Sequence, residues 1–328
     1  MEQLRRIFFW AVGLFLLGLL LHRVGVETVW AYLRLMGWGY VPVLVISFGW
    51  HVSNTRAWGA CFDRKESRPG FWTLFWTKLS GEAVGNVTPA AYVGGEVAKA
   101  YMLRSKVTVT RGLPSLVVNK TIEVISGLVF AFMGAVVVGL EFSLPQEVQI
   151  GLGAVLFLGT VGIGLAVLTQ RQHTFGWFLN ILGRFRFSFL ERRREKFEEI
   201  DRNIAAFYRH NRLGFLVSLV LHVLSWVLGV VEMYVILSLL GHPVSFVGAF
   251  LLTSLSLVIH STFFFIPSGV GVFEGGHVFL FHLLGLDPGL GLGVGIIRRI
   301  RKVFWILMGF LVLLPGALSK RAGGDKEE

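Results

Sequence analysis

Long apolar runs recur along the chain at a spacing typical of a protein that crosses a membrane several times. A membrane-spanning helix needs about 20 consecutive, mostly apolar residues. Six runs approach or exceed that length, so we predict an all-α polytopic membrane protein with six transmembrane helices. The predicted spans cover residues 7–22, 38–61, 113–140, 148–169, 213–240 and 289–318.

Two further apolar stretches, residues 71–104 and 246–285, are interrupted by polar and helix-breaking residues. Proline removes a backbone donor and glycine weakens a helix. At membrane depth such breaks survive only inside protein or beside a wet cavity. We therefore predict that each stretch forms a re-entrant helical hairpin. The predicted breaks are Pro89, Gly94 and Gly95 in the first hairpin and Pro267, Gly269 and Gly271 in the second.

Residues 178 positions apart match at three unusual places, which indicates an internal repeat. The boundaries of the predicted spans and hairpins agree at the same offset without a gap. Because the two copies begin on opposite sides of the membrane, this is the pattern of an inverted-topology repeat. The matched residues are Pro89 with Pro267, Glu96 with Glu274 and Lys120 with Arg298. The single membrane domain, 1–328, then comprises repeat unit 1 at 38–140, a linker with the fourth span at 141–212, repeat unit 2 at 213–318 and a tail at 319–328.

The distribution of charge fits this layout. Only 16% of the residues are charged, against about 25% in a typical soluble domain, yet Lys and Arg outnumber Asp and Glu by 31 to 20. Twenty-one of these bases fall in segments predicted to lie inside, and only Arg23 and Arg34 fall outside. The positive-inside rule therefore places both termini in the cytoplasm. Because the bases lie beside long apolar runs, we expect no nucleic-acid partner.

The segment at 170–212, between the fourth and fifth spans, mixes aromatic side chains with ten bases and five acids. One interpretation is a cytoplasmic amphipathic segment whose helices lie near anionic headgroups. The other is a solvated loop helix with ion pairs along its surface. The sequence favours neither.

Eight bases remain within the predicted membrane segments, where a buried charge costs roughly 2.5–3.5 kcal/mol on insertion scales and usually faces protein. We expect Lys120, Arg298 and Arg299 to bind an anionic headgroup, because arginine is well suited to phosphate. Glu96 and Glu274 would gate the cavity or carry a proton. The alternative is that each carboxylate pairs with a base or caps its own helix. The eight bases are Arg56, Lys78, Lys99, Lys120, Arg298, Arg299, Arg301 and Lys302.

Three polar residues, Asn86, His260 and His277, are predicted to line the same cavity. Glu274 and His277 share a helix face, with His260 upstream, and this spacing would also suit a metal ion. The corresponding helix of the first repeat has Lys99 in place of the histidine, so we expect no metal and no cofactor. The sequence contains no phosphate-binding loop, nucleophile elbow or zinc-peptidase motif. We therefore do not expect an enzyme.

Two pairs of segments resemble the signatures of the lysylphosphatidylglycerol synthase transmembrane region, also called the flippase-like family. The first pair is GEAVGNVTPAAYVGGEVAKAYML at 81–103 with VVNKTIEVISGLV at 117–129, and the second is FFFIPSGVGVFEGGHVFLFHLLGL at 263–286 with IIRRIRKVFWILMG at 296–309. The resemblance implies translocation of a polar-headed lipid between leaflets. It concerns the membrane region alone, so aminoacyl transfer to lipid is not implied. Lys120 departs from the pattern, since an arginine is more usual there.

Together these observations predict a lipid translocase that moves a polar- or anionic-headed lipid, passively or coupled to an ion, in a prokaryotic plasma membrane. The expected ligands are membrane lipids with a phosphate-bearing headgroup. Two alternatives remain open, a secondary transporter of a small anionic solute and a non-transporting accessory subunit of membrane-lipid synthesis. Each interpretation is compatible with a protein partner, which would be a second copy of the chain in a homo-oligomer or a lipid-synthesis enzyme.

Overall fold

The computed structural model describes residues 26–62, 68–87, 91–141, 146–171, 194–263 and 272–313. Within these ranges the chain forms helices and no strand, as predicted for an all-α protein. The predicted span at 7–22 lies outside the described residues, and so do the predicted breaks at Pro89, Pro267, Gly269 and Gly271.

Eleven α-helices lie within the described residues. A 3₁₀ turn, Gly37–Gly39, joins the first two. The α-helices are α1 (Val26–Met36), α2 (Tyr40–Ala60), α3 (Phe71–Val87), α4 (Ala91–Leu103), α5 (Val109–Glu141), α6 (Gln146–Arg171), α7 (Arg194–His210), α8 (Arg212–Leu239), α9 (Phe246–Thr262), α10 (Val272–Leu283) and α11 (Pro288–Leu313).

Four of the described helical segments are long and apolar enough to cross a membrane, and they coincide with the second to fifth predicted spans. α6 exposes large apolar side chains, Phe157 by 68% and Leu158 by 67%, a surface that suits contact with lipid tails. α11, predicted as the sixth span, differs because four bases fall within residues 298–302. The four segments are Arg34–Ala60, Val109–Leu140, Gln146–Gln170 and Arg212–Leu239.

Each predicted hairpin contains two antiparallel helices. In the second hairpin a Cβ placed on Gly276 of α10 would lie 3.0 Å from the Ile259 side chain of α9. Farther along, the ring of Phe273 stacks on His260 at 4.0 Å between centroids. The residue that is earlier in α10, Phe273, contacts the residue that is later in α9, His260. The two helices therefore run in opposite directions.

The sequence predicted helix breaks at Gly94 and Gly95. This prediction is wrong, because both residues lie inside α4. Gly95 instead permits a close approach to α3. A Cβ on Gly95 would lie 2.8 Å from the carbonyl oxygen of Gly81 and 3.3 Å from the Cα of Gly85. Glycine destabilises a helix interior by a small amount. It is tolerated here because the close backbone contact leaves no room for a side chain.

The chain packs into two compact units, and their boundaries differ from those of the two predicted repeat units. The first compact unit comprises Met1–Phe48, Phe75–Lys99 and Gly229–Glu328, and the second comprises Gly49–Leu74 and Ala100–Leu228. Four helices, α2, α3, α4 and α8, contribute residues to both.

In the second compact unit, α7 packs on protein. Asn203 donates to the Thr110 carbonyl at 2.7 Å, and the Tyr208 hydroxyl donates to Gln170 Oε1 at 2.7 Å. The apolar face of this part of the 170–212 segment is therefore covered by protein, and its charged face is exposed. The buried side chains of this contact are Ile200, Ile204 and Phe207 on α7 with Val118 and Ile122 on α5.

In the first compact unit, α11 is the helix against which the others pack. Its backbone meets α2 where the Tyr40 hydroxyl donates to the Ile297 carbonyl at 3.1 Å. It meets α3 where Ser80 donates to the Gly309 carbonyl at 2.9 Å. It meets α10 at Gly291, where a Cβ would lie 2.7 Å from a backbone oxygen. Helices that approach this closely pack through small residues, as is usual in membranes.

Replacement of Gly309 by alanine tests this packing. A Cβ at Gly309 would lie 2.5 Å from the Leu79 carbonyl oxygen and 2.9 Å from the Ala83 Cβ, so α3 and α11 must separate. Overpacking of this kind costs about 1–3 kcal/mol. We expect Gly309→Ala to lower the unfolding temperature in detergent by several degrees. Gly162→Ala is the control, because nothing lies within 4 Å of a Cβ there, and an unchanged Gly309→Ala protein would contradict the close contact.

Candidate functional site

A buried carboxylate, Glu232 of α8, holds two arginines of α11. Arg298 Nε donates to Glu232 Oε1 at 3.2 Å, and Arg301 donates to the other carboxylate oxygen. Only 2% of the Glu232 side chain and 9% of the Arg298 side chain are exposed. Arg298 also donates to the Gly229 carbonyl at 3.5 Å. The Arg298 guanidinium is thus fixed by α8.

A second carboxylate, Glu274 of α10, holds Arg299 in a two-pronged contact. Nη2 of Arg299 donates to Glu274 Oε2 at 2.9 Å, and Nε donates to Oε1. The Arg299 guanidinium also lies 5.8 Å from the centroid of the Phe273 ring, within range of a cation–π interaction. The planar fork of arginine matches a carboxylate and would match a phosphate in the same geometry. Glu274 therefore occupies positions that phosphate oxygens would suit.

The two predicted cavity histidines lie beside these pairs. His277 Nδ1 donates to the Phe273 carbonyl at 2.6 Å, and its Nε2 faces Arg298 Nη1 at 3.4 Å. Both ring nitrogens are thus engaged, and Nε2 is left as an acceptor in the neutral ring. His260 stacks on the opposite helix at Phe273. A metal ion on His277 would have to displace the arginine, so this geometry favours the cavity-lining interpretation over the metal alternative.

The first hairpin contributes lysine pairs instead of arginine pairs. Lys78 Nζ lies 2.6 Å from Glu82 Oε1, and Lys99 Nζ lies 2.8 Å from Glu96 Oε1. Each pair is formed within one helix, so Glu96 does pair with a base as the alternative interpretation held. Asn86 donates to the Glu82 carbonyl at 2.8 Å. All five residues belong to the first compact unit, together with the second hairpin.

The predicted repeat offset of 178 residues also relates polar positions in the two predicted hairpins. Glu96 and Lys99 align with Glu274 and His277, as noted from the sequence. The same offset matches two more positions that carry polar groups in both hairpins. These are Lys78 with Ser256 and Glu82 with His260. The Ser256 hydroxyl lies 3.4 Å from His277 Nε2, so the second hairpin joins two of these four positions by direct contact.

Two further bases lie near the carboxylates, Arg301 and Lys302, which the sequence placed within a membrane segment without assigning them to the site. Lys302 Nζ lies 5.6 Å from the Phe273 ring centroid and within electrostatic range of Glu82 and Glu274. Arg301 Nε, in the described part of the chain, is a buried side-chain nitrogen with no hydrogen-bond partner. Spacings of three and four residues from Arg298 place both bases on its helix face, and this signal was available in the sequence.

Lys120 belongs to the second compact unit, where it pairs with Glu123 on its own helix at 3.1 Å. The same unit holds a buried polar contact among three spans. His222 Nδ1 lies 2.8 Å from Asn54 Oδ1, and Nε2 lies 3.1 Å from Asn119 Oδ1. A shared headgroup contact by Lys120 and Arg298 therefore stays a prediction.

Replacement of Glu232 by glutamine tests the arginine contact. It leaves Arg298 and Arg301 buried without their carboxylate, and breaking a buried pair in this way costs about 3–5 kcal/mol. We expect Glu232→Gln to unfold at a markedly lower temperature in detergent. The control is Glu123→Gln, because that pair is about one-third exposed and such pairs contribute about 1 kcal/mol or less. Equal losses in the two variants would show that Glu232 is not a special anchor.

Comparison with known proteins agrees with the resemblance given above. The family model described as the lysylphosphatidylglycerol synthase TM region matches residues 7–309. A UPF0104 membrane protein of Methanothermobacter thermautotrophicus is 23% identical over 248 residues, which cover 71% of this chain and 72% of that protein. No solved structure matches the chain. The chain is a membrane protein that belongs to the lysylphosphatidylglycerol synthase transmembrane-region family.

Proposed function

We propose that the protein is a lipid translocase that moves a polar- or anionic-headed lipid between leaflets, passively or coupled to an ion. It would do so without chemical conversion of the lipid. In this proposal it lies in a prokaryotic plasma membrane with six spans, two re-entrant hairpins in an inverted repeat, and both termini in the cytoplasm. The single observation that carries the proposal is the cluster of buried ion pairs around α11.

The cluster has the chemistry that a lipid headgroup needs on its way through the hydrocarbon region. A charge is costly there unless protein groups replace its water. Arg299 and Lys302 provide cationic donors beside Phe273, and Glu274 already occupies one such donor set. A phosphate that takes the place of this carboxylate would exchange one charge-assisted contact for another. The displaced Glu274 carboxylate would then need another cation, and Lys302 lies within its electrostatic range.

The hairpin helices support the same function. Both hairpins place carboxylate side chains in the first compact unit, together with lysines in the first hairpin and histidines in the second. The polar positions that are 178 residues apart lie on helices that approach through small residues. Gly95 brings α3 and α4 together, and Gly276 brings α9 and α10 together. Broken helices with polar groups at the break are typical of transporter binding sites near the bilayer midplane.

A reconstitution assay tests the proposal. The protein is placed in phosphatidylcholine vesicles with trace lipids that carry a fluorophore on an acyl chain, and a quencher is added outside. We expect the protected fraction of anionic label to fall faster than in vesicles without protein. We expect the paired variant Glu274→Gln/Arg299→Gln, which keeps the formal charge, to slow this movement about tenfold or more. A charge-assisted hydrogen bond contributes roughly 1.5–3 kcal/mol, and 1.4 kcal/mol is a factor of ten.

The matched control is Glu199→Gln/Arg202→Gln, an acid and a base removed from the exposed face of α7. This variant should move lipid like the parent protein. If the parent protein moves none of several headgroups faster than empty vesicles do, the proposed function is wrong.

The alternative of an accessory subunit has one observation in its favour. α7 is docked on protein through its apolar face and leaves a charged face exposed, a surface that a lipid-synthesis enzyme could bind. The same two paired variants separate the alternatives in cells. Loss of cellular function in the α7 variant, with full function in the Glu274/Arg299 variant, would favour the accessory subunit.

A further inference from the structure

The buried charges in the described part of the first compact unit do not balance. Apart from exposed residues at Glu27, Arg34 and Asp287, its described part holds six bases and four carboxylates, an excess of two positive charges. The breaks of the two hairpins add none, because residues 88–90 and 264–271 contain no ionisable side chain. The bases are Lys78, Lys99, Arg298, Arg299, Arg301 and Lys302, and the carboxylates are Glu82, Glu96, Glu232 and Glu274.

The bases of the cluster lie close to its carboxylates. Arginine remains protonated in proteins. Lys78 and Lys99 each lie within 3 Å of a carboxylate oxygen. Lys302 lies in the field of two neighbouring arginines, Arg299 and Arg301, and of two carboxylates, Glu274 and Glu82. The side chains of the five ion pairs in the cluster are between 2% and 31% exposed, so bulk water does not cancel the excess. An anion of matching charge would.

The surplus is located on one helix. Four of the bases occupy residues 298–302 of α11. Glu232 and Glu274 pair with Arg298, Arg299 and Arg301, and Lys302 lies in the field of Glu274 and Glu82. One carboxylate serves both Arg298 and Arg301, and this leaves the buried Arg301 Nε, in the described part of the chain, as a donor with no acceptor. Donor capacity and positive charge are therefore in excess at the same place.

We infer that the ligand of this site is a phosphate monoester in its dianionic form, carried by the lipid of the proposed function. A monoester has three terminal oxygens and close to two negative charges, so it matches both the charge excess and the Arg301 donor. A phosphodiester headgroup has one negative charge and two free oxygens, and it would leave one positive charge unmatched. The inference rests on the proposed function for the lipid, and on the charge count for the headgroup.

The test compares two labelled lipids that differ in this one respect. Phosphatidic acid (a monoester) and phosphatidylglycerol (a diester) carry the same fluorescent acyl chain in phosphatidylcholine vesicles with the reconstituted protein. We expect the monoester to cross about tenfold faster. Its rate should rise between about pH 5.5 and 8, because the second ionisation of a phosphate monoester has a pKa near 6. The diester rate should stay flat over the same range.

Charge variants then test the matching itself. Arg301→Gln and Lys302→Gln each reduce the excess to one, so the preference for the monoester should fall towards parity. Arg301→Lys keeps the charge and loses the Nε fork, so it should keep the preference and move the lipid more slowly. Arg34→Gln removes an exposed base of α1 and should change neither rate. Each variant is compared with the parent in gel filtration, and Arg301→Lys keeps the test informative if a glutamine variant fails to fold.

The outcomes separate the two proposals. Equal rates for the two parent lipids, or a preference that survives both glutamine variants, would overturn the dianion inference and leave lipid translocation standing. Uptake of labelled inorganic phosphate without lipid movement would keep the dianion and overturn the lipid. Movement of neither lipid and no phosphate uptake would overturn both proposals.

Discussion

The contact of Glu232 with Arg298 and Arg301 is the constraint on which the first compact unit depends. It joins α8 to α11, and Arg298 also contacts His277 of α10 through a hydrogen bond. Two arginines buried beside one another repel unless a carboxylate lies between them. Because neither guanidinium can lose its proton, the carboxylate must remain there while the helices remain packed.

Close packing is what brings these groups within reach. α11 carries glycine where it meets its neighbours. A Cβ on Gly295 would lie 3.2 Å from the Cα of Glu274, and Gly291 and Gly309 are more crowded still. Because α11 has no side chain at Gly295, one helical turn before Arg299, the α10 backbone can approach it closely at Glu274. The apolar contact and the ion pair are therefore one feature, since a bulkier residue at Gly295 would push Glu274 away from its arginine.

Much of the fold could be predicted from local patterns. Apolar runs predicted the spans formed by α2, α5, α6 and α8, and Pro/Gly breaks predicted the paired helices. The site was harder, because its partners are far apart in sequence. Glu232 lies 66 residues from Arg298, so no spacing rule connects them. Within α11 the spacing of Arg301 from Arg298 is visible in the sequence, but residue 123, at the matching position of the predicted first repeat unit, is a glutamate and not a base.

The two predicted repeat units contain different kinds of ion pair, and the difference has a physical consequence. In the first repeat the pairs at Lys78, Lys99 and Lys120 are each formed within one helix. In the second, Arg298 and Arg299 pair with carboxylates on other helices. A lysine pair within a helix opens by rotation of side chains, whereas an arginine pair between helices opens only if the helices part or an anion replaces the carboxylate. An anionic ligand therefore has its largest structural effect at α11, where it competes for the contacts that hold α8 and α10 in place.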